Sequence, residues 1–333
     1  MKKDVKTGII VLIILIIVVI GVSVGSIFST HQNQDSIKIK SKSDVTNYDP
    51  KIAKEYKKDY VAAVHIEGTI ESANQTYNQK WLLDTISTLK DDDRNEGMIV
   101  YINSPGGAVY QADEIYLALQ DYKTTGKKIY IYMGPMAASG GYYIACAGNK
   151  IYANRNTLTG SIGVIAGQSV DMSEFLSKMG IKATTIHAGK NKTMGSISEP
   201  LTEEQKAIMQ SIADECYDQF CGIVATQRDL PIEKVHSLAD GRIYTANQAL
   251  SHGLIDSVDS WENMLKDFTE SELEKPGIKV ITLKKEKKQK FVDYMMDTIS
   301  NFEQTQTAAK LGIPASLLKD MESFNSYPAY LYK

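Results

Sequence analysis

The chain has 333 residues, of which 43% are apolar and 23% charged. That is globular composition, and it excludes a disordered or collagen-like chain. A formal net charge of -3 argues against a dedicated nucleic-acid binder, which carries a basic excess. Three cysteines are too few, and odd in number, for a disulfide scaffold. Cys216 and Cys221 point in different directions on a predicted helix, so no bond between them is expected. No His/Cys cluster has zinc spacing, and no cofactor is expected.

Gly8 to Phe28 is an unbroken apolar run rich in Ile and Val. At 1.5 Å per residue it spans roughly 30 Å, the thickness of a bilayer core. Lys2, Lys3 and Lys6 precede it, which keeps the N-terminus cytoplasmic and puts the rest of the chain outside. The rival reading is a cleaved signal peptide. That needs a shorter apolar segment and an A-x-A-like site, which Val22-Ser23-Val24 and Val24-Gly25-Ser26 approximate poorly. Residues 29–58 are polar and read as a linker.

The folded part is expected over 59–260. Tyr60 to Ile66 is a strand by length and β-branched content. Trp81, Leu82, Ile86 and Leu89 recur at helical spacing. Met98 to Ile102 is a continuous apolar run, as for a strand buried on both faces. Ala108 to Tyr122 is helical, Ile129 to Met133 a strand, and Ala138 to Ala147 a short helix. A helix near Ser173 to Met179 precedes a strand at Ala183 to Ile186. Thr202 to Arg228 is a long amphipathic helix, capped by Thr202, with Glu203 and Glu204 at its positive end. Strand alternating with helix implies an α/β domain. After Asp256 the pattern weakens, and 261–333 read as a C-terminal helical extension and tail. It holds a basic run at 284–290, an apolar helical face of Phe291, Met295, Ile299 and Phe302, and the apolar end Tyr330-Leu331-Tyr332.

Two glycine-rich turns stand out. Asn103-Ser104-Pro105-Gly106-Gly107 follows a strand and precedes a helix. Paired glycines allow a backbone forbidden to other residues, so such a turn can aim bare N–H groups at an oxyanion. The bland alternative is a structural turn. Ser104 has no evident base. Met136-Ala137-Ala138-Ser139-Gly140-Gly141 opens the next helix, with Ser139 at its N-terminus. Ser139 reads equally as an N-cap, with packing glycines behind it. The turn is not a G-x-S-x-G elbow, which excludes an α/β-hydrolase.

A nucleophilic serine needs a base. His31 is in the linker, His65 in the first strand, and His236 and His252 lie far downstream. His187, at a strand end, is the histidine to consider, and a strand-end histidine without chemistry is its simpler reading. Lys190 and Lys192 follow at once. A lysine serves as base only where burial lowers its pKa, and moving from about 10.4 to about 7 costs roughly 4–5 kcal/mol. Thr159-Gly160-Ser161-Ile162-Gly163 offers a hydroxyl on a tight turn beside apolar residues, able to orient such an amine. Taken singly, both lysines are most simply solvated.

Together these motifs resemble the signal peptide peptidase A family: Asn-Ser-Pro-Gly-Gly, Met-Ala-Ala-Ser-Gly-Gly-Tyr-Tyr, Leu-Thr-Gly-Ser-Ile-Gly-Val and Gly-Lys-Asn-Lys-Thr. Asp240 to Thr245 and Ala249 to Asp256 resemble a later motif, and Ala246 departs from the glycine of many relatives. The likeness runs in order from about Tyr60 to Asp256 and is to the half-length form, not the tandem-duplicated one. It implies a crotonase/ClpP-like fold and a Ser/Lys dyad. Ser139 would be the nucleophile, Lys192 the general base and Lys190 the lesser choice. Ser161 would orient the Lys192 amine, and Gly107 and Gly140 would form the oxyanion hole. The implied substrates are remnant signal peptides in the membrane. Duplicated relatives place lysine and serine on different repeats, so a half-length chain is expected to share its dyad between protomers of a ring-shaped homo-oligomer. Alternatives are a crotonase-type hydratase, which needs an acyl-CoA site; a ClpP-like enzyme, which needs a His/Asp pair; and a catalytically silent peptide-binding scaffold. The C-terminal end resembles a product peptide that could be trimmed or occlude the sites, against the plainer reading of a loose tail.

Overall fold

The computed structural model describes residues 56–285 and the backbone of 329–331. The expected anchor at 8–28, nearly all of the linker and the apolar face from Phe291 to Phe302 lie outside the described residues. Among the described residues no helix is long and apolar enough to cross a membrane.

The domain is α/β. In chain order it runs β1 (Tyr60–Glu67), α1 (Gln79–Lys90), β2 (Asn95–Ser104), β3 (Gly106–Ala108), α2 (Val109–Lys123), β4 (Lys128–Ala138) and α3 (Gly140–Ala145). Then come β5 (Lys150–Ala153), β6 (Leu158–Gly160), α4 (Ser173–Lys178), α5 (Glu203–Arg228), α6 (Ile232–Leu238), β7 (Ile243–Thr245) and α7 (Ala246–Ser251). β8 (Ser257–Val258), α8 (Trp261–Lys266), a π-helical turn at Asp267–Glu272, β9 (Lys279–Leu283) and β10 (Ala329–Leu331) complete it. The main sheet has the order β7-β6-β4-β2-β1-β9, with β5 and β8 branching from β4. Its pairs are parallel except β6 with β7.

Both faces of the sheet are covered, which explains the uninterrupted apolar strands. Tyr60, Ala62, Val64, Met98, Val100, Ile129 and Ile131 face the larger core with α1, α2, α3 and α5. The alternate residues Val61, Ala63, Ile99, Tyr130 and Tyr132 pack against Met264 and Phe268. Asn78 caps α1 by accepting the Trp81 N–H, and Leu82, Ile86 and Leu89 line its buried stripe. Thr202 caps α5 in a full capping box with Gln205. Cys146 and Cys221 are buried and Cys216 is half-buried.

The structure corrects the sequence expectations in two places. Ala183 to Ile186 is irregular and exposed: its β-branched residues meet no strand edge, and an unpaired strand leaves its backbone groups to water. The sheet also continues past residue 260. β9 pairs with β1 from Tyr60↔Lys279 to Val64↔Leu283, so this part of the extension belongs to the main sheet.

β4 positions the site. Pro135, exposed within it, separates a first half paired with β2 and β5 from a second half paired with β6 through Met136↔Leu158 and Ala138↔Gly160 and again with β2 at Ser104↔Ala137. The carboxyl ends of β2, β4 and β6 therefore meet at one place.

Candidate active site

Ser139 follows the last residue of β4 with φ 54 and ψ -119. A non-glycine residue at positive φ is uncommon and persists only where its surroundings hold it. Here the Ser139 N–H donates to the Gly160 carbonyl at 2.7 Å, and the Ser139 carbonyl accepts from the Tyr143 N–H at 2.9 Å. The residue occupies the N-cap position of α3, yet its side chain makes no capping hydrogen bond. Its Oγ is buried and has no hydrogen-bond partner. Leaving a buried hydroxyl unpaired costs about 1–3 kcal/mol, which a plain helix cap has no reason to bear.

Ser161 stands beside it. Ala138 pairs with Gly160, so the two serines each come one residue after a paired position. Ser161 is also left-handed, with φ 51. Its N–H donates to the Arg242 carbonyl at 2.8 Å.

The other glycine-rich turn packs directly on Ser139's helix. Ser104 is fully buried, and its Oγ accepts the Gly106 N–H at 3.1 Å. Its hydroxyl thus closes the turn. Gly106 has φ 103. Ile70 bonds β3 on one side, its N–H donating to Gly106 and its carbonyl accepting from Ala108, both at 2.8 Å. Since N–H groups alternate along a strand, the Gly107 N–H faces the opposite edge. On that edge lies β10, antiparallel, with Tyr330 opposite Gly107. A Cβ on Gly107 would stand 1.9 Å from the Ile70 carbonyl oxygen, and one on Gly140 would stand 3.3 Å from the Gly107 nitrogen. At Gly107 only glycine lets the backbones approach so closely, while at Gly140 a side chain would be a tight fit.

Residues 121–274 match Peptidase family S49. A protein of Enterococcus faecium assigned as a signal peptide peptidase SppA is 36% identical over 193 residues, 58% of this chain and 56% of its own length. A Synechocystis sp. protein assigned as a protease is 36% identical over 203 residues, covering 61% of this chain and 71% of that one. The chain belongs to peptidase family S49. Protease 4 of Haemophilus influenzae is 26% identical over 275 residues, 80% of this chain and 44% of its own. A solved structure of a membrane-bound stomatin-specific protease covers 69% of this chain and 100% of that one, at 19% identity and a TM-score of 0.46.

In this S49 chain the structure brings Ser139, Ser161, Gly107 and Gly140 together, and Lys192 stands apart from them. Lys192 is exposed on a turn whose backbone N–H donates to Gly189 at 3.1 Å, and the Ser139 hydroxyl bonds to nothing. Lys190 is ion-paired with Glu204 in the first turn of α5. His187 is exposed and accompanies the Gly189 carbonyl at 3.1 Å. Every residue from 177 to 190 is exposed, and Phe175, Met179, Ile181 and Ile186 present apolar surface there. The histidines at 65, 236 and 252 face Glu67, Tyr217 and Tyr244 instead. Sequence reasoning missed Ile70 and the Arg242 carbonyl, because both act through backbone atoms that no motif marks.

Proposed function

We propose that this chain is a membrane-anchored serine endopeptidase of crotonase/ClpP-like architecture, working through a Ser139/Lys192 dyad. The observation that carries the reading is the Ser139 hydroxyl: buried, unpartnered and held at a left-handed turn beside the glycine backbone of β3. The Ser139 Oγ attacks the scissile carbonyl while the neutral Lys192 amine takes its proton. The Gly107 and Gly140 N–H groups receive the oxyanion. The tetrahedral adduct expels the amine, which takes that proton from Lys192, and water then attacks the acyl-enzyme by the same route in reverse. The Ser161 hydroxyl orients the Lys192 amine. The pairing of β10 with β3 supports an extended peptide as substrate, since a strand laid on this edge meets the Gly107 N–H. Remnant signal peptides fit this reading. The relatives' names point that way, and an anchor at 8–28 confines enzyme and apolar substrate to one surface.

The dyad is shared between protomers of a ring-shaped homo-oligomer. Lys192 belongs to an exposed arm carrying Phe175, Met179, Ile181 and Ile186, an apolar surface suited to a second copy. A head-to-tail contact of this kind closes into a ring when its rotation permits. The test co-expresses Ser139→Ala subunits with Lys192→Ala subunits. Each variant alone is expected to be inactive, and verified mixed oligomers should recover activity together with fluorophosphonate labelling at Ser139. Inactive mixed oligomers, or an active isolated monomer, refute sharing. An active Lys192→Ala homo-oligomer refutes the dyad.

A further inference from the structure

The Ser161 turn is framed from one side by a loop that the proposed mechanism does not use. β6 and β7 pair antiparallel, with Gly160 opposite Ile243. Just beyond that pair the Arg242 carbonyl accepts the Ser161 N–H at 2.8 Å, and the Gly241 N–H donates to the Ile162 carbonyl at 3.0 Å. Gly241 is left-handed, with φ 83, so the loop turns sharply where it makes this grip. Asp240 locks that turn. Its Oδ1 accepts the Arg242 backbone N–H at 3.1 Å and the Arg242 Nε at 2.7 Å. Its Oδ2 accepts Nε at 2.9 Å and also Nη2. The guanidinium holds the Asp240 carboxyl down at about 2. Both side chains are half exposed, and an exposed pair of this kind adds little to stability.

The grip matters because Ser161 is strained. A left-handed non-glycine residue needs its neighbours to hold it. From the other side, β4 pairs with β6 up to Ala138↔Gly160, and the Ser139 N–H donates to the Gly160 carbonyl. That pairing ends at Gly160, whereas the two bonds from the 240–242 loop are made at Ser161 and Ile162 themselves and so set the direction in which the Ser161 side chain leaves the backbone.

We infer that Asp240 is a positioning residue for the hydroxyl of Ser161, acting through the backbone of Gly241 and Arg242. The inference rests on the proposed role of Ser161 toward Lys192. Asp240 touches neither substrate nor reacting atoms. Its effect is confined to catalysis, and it passes through Ser161 alone.

A double-mutant cycle on the full-length oligomer tests this, with kcat, KM and melting temperature measured for each chain. Asp240→Ala should lower kcat about tenfold to a hundredfold, the scale of a small misplacement in a site, with KM and melting temperature near wild type. In the Ser161→Ala background the same change should cost less than about twofold, because residues acting through one another are not additive. Asp240→Asn retains the Oδ1 acceptor for the Arg242 N–H and should restore most of the loss. Equal losses in both backgrounds overturn the inference. So do full activity in Asp240→Ala, an Asp240→Asn chain as slow as Asp240→Ala, and an Asp240→Ala chain that fails to fold. A Ser161→Ala chain as active as wild type removes Ser161's role and this inference while leaving the dyad intact. The dyad itself falls only if the Ser139 or Lys192 variants are active.

Discussion

Gly107→Ala adds one methyl group where the backbone of Ile70 already stands. The new Cβ would lie 1.9 Å from the Ile70 oxygen and 2.6 Å from its carbonyl carbon and nitrogen. Ordinary contact begins near 3.4 Å, so the overlap is about 1.5 Å, and the obstructing atoms are backbone that no rotamer change moves. β3 must shift away from Ile70. Doing so stretches the two 2.8 Å bonds that Ile70 makes to Gly106 and Ala108, at roughly 0.5–1.5 kcal/mol each. A loss of about 1–3 kcal/mol in stability is expected from that alone. On the proposed mechanism, the same shift moves the Gly107 N–H away from the oxyanion. Losing one such donor costs about 10²–10³ in kcat, or roughly 2.7–4 kcal/mol. Steady-state kinetics on an internally quenched apolar peptide, with chemical denaturation alongside, separate the two effects. Gly140→Ala is the comparison. Its Cβ would meet the Gly107 nitrogen at 3.3 Å, a squeeze of tenths of an ångström, so its kcat should fall less than that of Gly107→Ala. A Gly107→Ala enzyme with wild-type kcat and stability would show that β3 neither abuts Ile70 as described nor serves the oxyanion.

His65 is stacked on Tyr101 with ring centroids 4.6 Å apart, and burial lowers its pKa, partly offset by the hydrogen bond to Glu67. Folding therefore disfavours its protonation: its contribution is complete above about pH 6.5 and is lost as pH falls through the depressed folded value. The melting temperature should drop between pH 7.5 and 5 with a slope that His65→Phe, which keeps the stacking, makes shallower; parallel slopes in the two proteins would exclude His65 as the cause. The backbone of β10 lies on the edge that the Gly107 N–H faces, so the chain's own C-terminus is expected to be cut there. Intact mass should be lower for wild type than for Ser139→Ala, and a full-length C-terminus in both would remove self-trimming.

The strands at the centre of the sheet were legible because burial on both faces leaves a local mark, and β1, β2 and β4 carry it as unbroken apolar runs. The capped helices α1 and α5 were equally local. Pairing is not. Nothing in Lys279 to Leu283 announces that its partner is β1, more than 200 residues earlier, and nothing in Ile70 announces a bridge to Gly107. The glycine turns could be read because glycine has few other reasons to recur there. Whether Ser139 was a cap could not be read, since an N-cap serine and an uncapping one look alike until the side chain's partners are known. Ala183 to Ile186 misled for the converse reason: β-branched residues mark a strand only where a sheet offers an edge.

The left-handed turn at Ser139 sets chemistry against foldability. Glycine adopts this backbone without the clash that any Cβ brings, a difference of about 1 kcal/mol or more. On the proposed mechanism, the residue that reacts is thus the wrong residue for its own turn. A copy of this chain released from the need to cut peptides would gain stability by a serine-to-glycine exchange at its former nucleophile. Ser139→Gly should accordingly melt above Ser139→Ala, though both are inert. Glycine at this position is then what disuse would leave behind, and on the proposed mechanism the serine is kept for activity at the expense of the fold.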